Sequence, residues 1–195
     1  MITPMTIAGV RAYPLAPDRW SDFEALFGKN GACAGCWCMW WHMGQSAWEA
    51  EKGEATKRMM KARVKKGPPP GLLAYADGEA VGWCALGPRE SYERLARSKV
   101  LAPVDDKPVW SVTCFFVRRD WRRRGVTIAL LKEAARWVGR QGGRLLEGYP
   151  TDADKPQPGA FVHHGLLSAF EQAGFREVAR RSKNRPVVRR KATSR

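Results

Sequence analysis

The sequence predicts an α/β or α+β fold with a mixed β-sheet, and three observations support this prediction. Strand-like and helix-like segments alternate along the chain. The apolar run Val109–Val117 is rich in β-branched and aromatic residues, which is typical of a strand buried on both faces. Directly after it, Ile128, Leu131, Ala135 and Val138 follow the spacing of one helix face. This strand and helix are the centre around which we place the other elements.

Length, composition and charge limit the classes of protein. A chain of 195 residues, 44% of them hydrophobic, is expected to form one ordered domain over residues 1–195. No apolar run approaches the roughly 20 residues that cross a bilayer. The N-terminal residues lack the pattern of a signal peptide, so we expect a cytoplasmic protein. A net charge of +15 predicts attraction to polyanions, phosphorylated ligands or acidic surfaces, and the basic tail from about Arg189 is expected to fray.

The first third of the chain predicts a strand followed by two helices. Gly9–Leu15 alternates weakly and contains a proline near its end, which is typical of an edge strand. Asp18 is expected to cap a short helix. Ser46 and Glu49 form a capping-box pattern, which predicts one continuous helix running to about Lys66.

Between these helices lies an unusual segment, Cys33–Met43, which holds three cysteines, three tryptophans and His42. Four zinc ligands, a reactive cysteine and a packed aromatic wall are all open interpretations. The aromatic wall is favoured because Cys36 and Cys38 are only two positions apart and large apolar residues surround them. We therefore expect no metal. The residues expected to line an acceptor pocket are Trp37, Trp40 and Trp41.

The remaining elements follow in order along the chain. An Asp-Gly pair between two apolar runs predicts a hairpin of Leu72–Ala76 and Glu79–Leu86. Arg89–Val104 is expected to be either a helical excursion or a loop. The last predicted elements are a strand at Arg144–Tyr149, a loop at Pro150–Gly159, a helix over Leu166–Ala173, and strands at Phe175–Val178 and Pro186–Val188.

A phosphate-binding site is predicted between the central strand and the central helix. Three arginines, Arg122–Arg124, precede Gly125 at this turn. The first N–H groups of a helix have no partner within the helix, and the helix dipole places partial positive charge there. The sequence contains neither the P-loop pattern nor the dinucleotide-binding pattern at this position. We therefore expect a phosphate cradle over Arg122–Thr127 of another kind.

The stretch V-x-R-x-W-R-R-R-G-V-T resembles the coenzyme A loop of the GNAT superfamily of N-acetyltransferases, whose core is [QR]-x-x-G-x-[GA]. Arg122 matches the first position and Gly125 the central glycine, whereas Thr127 is larger than the usual third residue. The stretches LLAYADGEAVGWCAL and LSAFEQAGFREVAR resemble two further regions of the family in the right order, so the resemblance extends from about Gly9 to Val188. It implies a mixed, mostly antiparallel twisted sheet with helices on both faces.

The resemblance also implies a function and a donor site. The expected reaction moves an acetyl group from acetyl-CoA to a primary amine of a small molecule or protein, by direct transfer in a ternary complex. The pyrophosphate would meet the cradle, the pantetheine would meet the backbone of the central strand, and the thioester would lie near Thr113–Phe115. The implied donor-binding residues are Phe115, Phe116, Val117, Arg122, Arg123, Arg124, Gly125, Val126 and Thr127.

The proton-transfer groups are less well defined by the resemblance. Phe170 stands where the family often has a tyrosine acid, and phenylalanine cannot donate a proton. Glu147, late in the strand after the central helix, is the first choice for the general base. Tyr149 and His163 are substitutes for the acid, and His163 and His164 are further candidates for the base.

Two other functions stay open. The charge of +15 also fits a nucleic-acid-binding protein, although the tryptophans are not interleaved with basic residues and nucleic acid is the less favoured partner. The departures at Thr127 and Phe170 also fit a non-catalytic domain that senses an acyl-CoA. The sequence does not choose between a monomer and a homodimer, and it does not identify the acceptor.

Overall fold

The protein is built on a seven-stranded mixed sheet with strand order β1-β2-β3-β4-β5-β7-β6. The computed structural model describes residues 9–152 and 163–193, so most of the predicted loop at Pro150–Gly159 lies outside the described residues. Strands β4 and β5 pair in parallel, and the other neighbouring strands pair antiparallel. The strands are β1 (Arg11–Pro14), β2 (Gly71–Ala76), β3 (Glu79–Pro88), β4 (Trp110–Val117), β5 (Leu145–Gly148), β6 (Arg176–Arg180) and β7 (Pro186–Lys191). The predicted class of a mixed, mostly antiparallel sheet is confirmed.

Helices cover both faces of this sheet because each face presents apolar side chains. The α-helices are α1 (Trp20–Phe27), α2 (Gln45–Glu51), α3 (Glu54–Lys66), α4 (Glu93–Arg97), α5 (Val126–Arg140) and α6 (Leu167–Gln172). Helices α5 and α6 pack on one face, where Leu130 and Phe170 are fully buried. Helices α1 and α3 pack on the other face, where Phe23 and Met60 surround Trp83. No helix among the described residues is both long and apolar enough to cross a membrane.

The long helix predicted from Ser46 to Lys66 is instead two helices. Helix α2 ends at Glu51, and α3 begins after Gly53. The φ angle of Gly53 is 106°, which glycine adopts easily and other residues disfavour. The Gly53 N–H donates to the Gly35 carbonyl at 2.9 Å, so this break ties the helix pair to the cysteine-rich segment. The capping-box prediction was also wrong, because α2 begins one residue before Ser46 and no side chain caps it.

Two further predictions about chain ends need correction. Asp18 does not cap α1, because it lies within a short 3-10 turn that leads directly into Trp20. The basic tail does not fray at Arg189, because strand β7 continues to Lys191 and pairs with both β5 and β6. Tertiary pairing thus orders a segment whose charge alone predicts fraying.

The parallel pairing of β4 and β5 is short, and this positions the candidate site. Backbone pairing joins Trp110–Val112 of β4 to Leu146–Gly148 of β5 and then stops. Strand β4 continues for five more residues to Val117, and no strand among residues 9–152 and 163–193 pairs with them on that side. The two strands therefore part, and an open edge of β4 leads toward the start of α5.

Gly148, at the end of β5, packs tightly against the core beside this opening. A Cβ atom added at Gly148 would overlap the ring of Phe170, which is fully buried. Because the core cannot absorb a methyl group there, we expect Gly148→Ala to lower the free energy of unfolding by about 2 kcal/mol in urea denaturation. The same substitution in a Phe170→Leu background should cost clearly less. Equal losses in the two backgrounds would contradict this packing.

Candidate active site

The turn between β4 and α5 has the geometry of an anion cradle. After a 3-10 turn at Arg119–Trp121, Arg123 and Gly125 adopt positive φ angles of 60° and 71°. Helix α5 then begins at Val126, two residues before the first position of its predicted apolar face, and no side chain caps it. The first N–H groups of α5 are therefore available to a ligand, and glycine at the preceding position leaves the backbone accessible.

Positive charge surrounds this helix start. Arg122, Arg123 and Arg124 are all exposed. The Arg122 Nε donates to the Val117 carbonyl at 3.1 Å, which holds that side chain against the end of β4. The Arg124 guanidinium lies over the Trp121 ring, 5.1 Å from its centroid. The predicted cradle residues are thus brought together, and their charge complements a pyrophosphate.

The open edge of β4 carries backbone donors, but one of them is already used. The Phe115 N–H donates to the His163 carbonyl at 2.6 Å. Strand alternation turns the Val117 N–H to the same side as that of Phe115, and it turns the N–H and C=O of Phe116 toward β3. Of the three predicted backbone positions, Phe115 and Val117 therefore face the opening and Phe116 does not.

Two polar side chains lie where β4 and β5 part. The Oγ1 atom of Thr113 is buried and has no hydrogen-bond partner among the described residues. The Nδ1 atom of His164 lies 3.3 Å from the Thr113 carbonyl, so Nδ1 carries the hydrogen and Nε2 is the acceptor. Burial, followed by the charges of His163 and Arg185, holds the pKa of His164 well below its usual value. His164 is thus a neutral imidazole at the opening.

Glu147, the predicted base, is held in a buried cluster. Its Oε1 accepts from Arg89 Nη1 and from the Tyr149 hydroxyl, both at 2.7 Å, and its Oε2 accepts from Arg189 Nε at 2.8 Å. The side chain is only 1% exposed. Both oxygens are therefore engaged by cationic or hydroxyl donors. The base role of Glu147 stays a prediction, and this geometry favours a structural role.

Tyr149, a predicted acid, belongs to the same cluster. Its hydroxyl donates to Glu147 and accepts from Arg89, and it lies 2.7 Å from Ser111 Oγ. Burial, followed by the charge of Glu147, raises the pKa of Tyr149 well above its usual value. The third catalytic candidate, His163, contributes its backbone carbonyl to the edge of β4, as described above.

The three tryptophans predicted to line a pocket occupy different environments. Trp37 is buried in the hydrophobic core beside α1, where its ring stacks on that of Phe27 with centroids 5.7 Å apart. Trp40 lies beneath the guanidinium of Arg94, 3.4 Å from its ring centroid. Trp41 alone approaches the opening, with its ring centroid 5.2 Å from that of His164. Trp41 is therefore the one of the three that best fits an acceptor contact.

The cysteine-rich segment packs against the sheet. Cys38 is buried and accepts a hydrogen bond from Trp83 Nε1 at 3.1 Å, whereas Cys33 is exposed. Burial, followed by the charge of Cys38, raises the pKa of Cys36 to about 11. Within residues 9–152 and 163–193, no group of three histidine, cysteine or carboxylate side chains could hold a metal ion.

His42, which the sequence suggested only as a possible zinc ligand, instead packs against Tyr92. The ring stacks on Tyr92 with centroids 4.6 Å apart, and Nδ1 lies 2.7 Å from the Ser91 carbonyl. Burial, followed by the charge of Arg63, lowers the pKa of His42 to about 4. No local pattern connects these residues, because they come from segments about 20 to 50 positions apart.

Comparisons with known proteins agree with this arrangement. The family model described as the acetyltransferase (GNAT) family matches residues 34–157, which is more than half of the chain. A GNAT acetyltransferase from Listeria monocytogenes has a similar structure (TM-score 0.58, 8% identity, 95% of this chain and 98% of that chain covered). So does the PaiA N-acetyltransferase from Thermoplasma acidophilum, solved in complex with coenzyme A (TM-score 0.53, 11% identity, 94% and 99% covered). A third is the GNAT domain of PAT from S. lividans (TM-score 0.51, 13% identity, 93% and 90% covered).

No curated protein matches the sequence significantly. The structural similarities establish the fold, and the family model establishes the family. The chain belongs to the acetyltransferase (GNAT) family, so the expectation of a GNAT-type enzyme is confirmed.

The role of Glu147 can be tested by separating stability from turnover. We expect Glu147→Gln to lower the free energy of unfolding by about 3 kcal/mol, because Arg89 and Arg189 would stay buried without their counter-charge. Asp105→Asn is the matched control. It removes an exposed partner of Arg189 at 2.8 Å and should cost much less, because solvent screens that ion pair. An unchanged stability with complete loss of acetyl transfer in Glu147→Gln would instead support the base role.

The buried imidazoles predict how stability depends on pH. Because the pKa of His42 is lowered from 6.5 to about 4, the unfolded chain takes up a proton below pH 6.5 that the folded chain does not. Stability should therefore fall as the pH falls from 6.5 toward 4, by about 2 kcal/mol from His42 at pH 4.5. Urea denaturation at pH 7.5 and 4.5 measures this loss. The loss of stability should be smaller in His42→Gln, where His164 still contributes to it. An identical loss in the wild type and in His42→Gln would contradict this prediction.

Proposed function

We propose that this protein transfers the acetyl group of acetyl-CoA to the amine nitrogen of an unidentified acceptor, with both substrates bound together. One observation carries the proposal: an uncapped helix start behind a left-handed glycine lies directly after the strand whose edge is open. The first feature suits a pyrophosphate and the second suits an extended amide chain. A cytoplasmic location is part of the same proposal.

The donor would be held by the loop and by the strand edge. The cradle Arg122–Thr127 would bind the pyrophosphate through backbone N–H groups and arginine side chains. Phe115 and Val117 present N–H groups to the opening between β4 and β5. Because the Phe115 N–H is bonded to the His163 carbonyl, a pantetheine that pairs there must displace this carbonyl. Coenzyme A binding should therefore be accompanied by a shift of the segment at His163.

Catalysis would rest mainly on positioning of the two substrates. The amine nitrogen attacks the thioester carbonyl carbon and loses a proton, and the carbon–sulfur bond breaks to release coenzyme A as a thiolate, which takes up a proton from water. The backbone N–H groups at the open edge can stabilise the oxyanion that develops. His164 is a neutral imidazole at this opening and is the group we favour for accepting the proton, ahead of the fully paired Glu147.

The cradle can be tested with a matched pair of glycine variants. Gly125→Glu should abolish coenzyme A binding, because it places a bulky negative charge at the expected pyrophosphate position. Gly142→Glu is the control: Gly142 has a similar φ of 78°, open surroundings and a place beyond the other end of α5. Thermal unfolding measures the effect, because a ligand at 100 times its dissociation constant stabilises the native state by about 2.7 kcal/mol.

The expected result is stabilisation of the wild type and of Gly142→Glu by acetyl-CoA and by coenzyme A, with none in Gly125→Glu. Equal stabilisation of both variants would show that the cradle has another role. Stabilisation by acetyl-CoA without acetyl transfer to any of a broad panel of amines would favour the acyl-CoA sensor. Binding of polyanions whose affinity falls steeply as the salt concentration rises would favour the nucleic-acid alternative.

A further inference from the structure

A second basic site lies in a cleft at the other end of β3, away from the coenzyme A cradle. The cleft has a volume of about 230 Å³. Its lining includes Arg63 and Lys66 of α3 and the proline-rich turn Gly67–Pro70. His42 and Tyr92 line the same cleft. Two cationic side chains thus face a shared cavity with a histidine and a tyrosine.

Arg63 differs from the other half-buried arginines in the described part of the chain. Each of the others donates to a carboxylate, hydroxyl or carbonyl: Arg19, Arg89, Arg94, Arg118, Arg185, Arg189 and Arg190. Arg63 makes no hydrogen bond or ion pair with any described residue, and its Nε atom is fully buried. Because the Arg63 guanidinium has no partner within the described chain and lines the cleft, it can take an acceptor from outside the chain.

The electrostatic field in the cleft has the sign that such an acceptor needs. Lys66 is also without an ion pair among the described residues, and the positive charge of Arg63 disfavours a proton on His42. The Nδ1 hydrogen of His42 is used by the Ser91 carbonyl, so the ring adds a fixed wall and a free Nε2 acceptor. Burial is the main reason that the pKa of His42 is lowered, and the positive charge of Arg63, which lowers it further, also attracts an anion.

The cleft lies close to the point where β4 and β5 part. Its wall includes Leu86 and Gly87 of β3, which pair with Val112 and Ser111 of β4. Val112 is the last residue of β4 that pairs with β5. A ligand in the cleft is therefore bound beside the strand residues that lead into the opening.

We infer that this cleft binds a small oxyanion, a carboxylate or a phosphate, with the guanidinium of Arg63 as its forked partner and Lys66 as a second charge. The oxyanion has two possible sources: the acidic group of the amine acceptor itself, or a separate small anion. The first source rests on the proposed acetyl transfer, whereas binding of an oxyanion does not.

Binding is tested with inorganic phosphate on the full-length protein at constant ionic strength. The imidazole NMR resonances of the three histidines are followed, and His42 is assigned with His42→Gln. We expect a saturable shift of the His42 resonance. Arg63→Gln should weaken binding about 10- to 100-fold, as expected for loss of charge-assisted hydrogen bonds. Arg58→Gln, which removes an exposed arginine from the same helix, should leave the affinity unchanged.

A second variant guards against a folding defect in Arg63→Gln. Lys66→Gln changes an exposed side chain and should weaken phosphate binding by a smaller factor with an unaltered unfolding temperature. The inference is overturned if phosphate causes no saturable shift of His42, or if Arg63→Gln and Lys66→Gln bind as tightly as Arg58→Gln.

The source of the oxyanion is resolved by acetyl transfer to paired amines with and without a terminal carboxylate, such as 6-aminohexanoate and hexylamine. If the acceptor supplies the anion, the carboxylated amines should have the higher kcat/KM, phosphate should compete with them, and Arg63→Gln should remove their advantage. If a separate anion binds, the two amines of each pair should have similar kcat/KM values, both in the wild type and in Arg63→Gln. Coenzyme A binding is measured independently, so failure of the cleft and failure of the donor site are distinguishable.

Discussion

The buried carboxylate of Glu147 is the constraint on which the rest of this structure depends. It lies on β5 and receives hydrogen bonds from Arg89, which follows β3, and from Arg189 on β7. Through the Tyr149 hydroxyl it is also linked to Ser111 on β4. Four segments thus converge on one charge that would be very costly to bury alone. They converge at the place where β4 and β5 begin to part, so the cluster fixes the base of the opening.

The opening and the anion cradle are two ends of one feature. Strand β4 leaves its partner after Val112, has an edge that no other described strand pairs with, and leads through the left-handed Gly125 into α5. An extended ligand with a charged end matches this sequence of backbone donors followed by a helix dipole. The carbonyl of His163 already satisfies one edge donor, which is what a buried strand edge requires when no ligand is bound. The edge of β4 proposed to bind the donor and the segment at His163 therefore share a hydrogen bond.

The face that carries α1, α3 and α4 has a different character. Trp37 and Cys38 form part of a closed core, whereas His42 and Tyr92 line a cavity and Trp41 contacts His164. The basic charge of the protein is not spread evenly over this face. The other half-buried arginines each donate a hydrogen bond to a carboxylate, hydroxyl or carbonyl of the protein, whereas Arg63 does not and lines a cavity. This local imbalance is more informative about ligands than the net charge of +15.

The sequence by itself determined the elements that depend on local chemistry. The Asp77-Gly78 turn, the apolar run of β4 and the glycine before α5 are confirmed, because turn geometry and strand burial depend on residues next to each other. Only the tertiary structure decided the break at Gly53, the ordering of β7, the pairing of Glu147 and the isolation of Arg63. These depend on contacts between segments far apart in the chain, such as the 42 positions between Glu147 and Arg189. A sequence pattern records which groups are present, and packing decides which of them find partners.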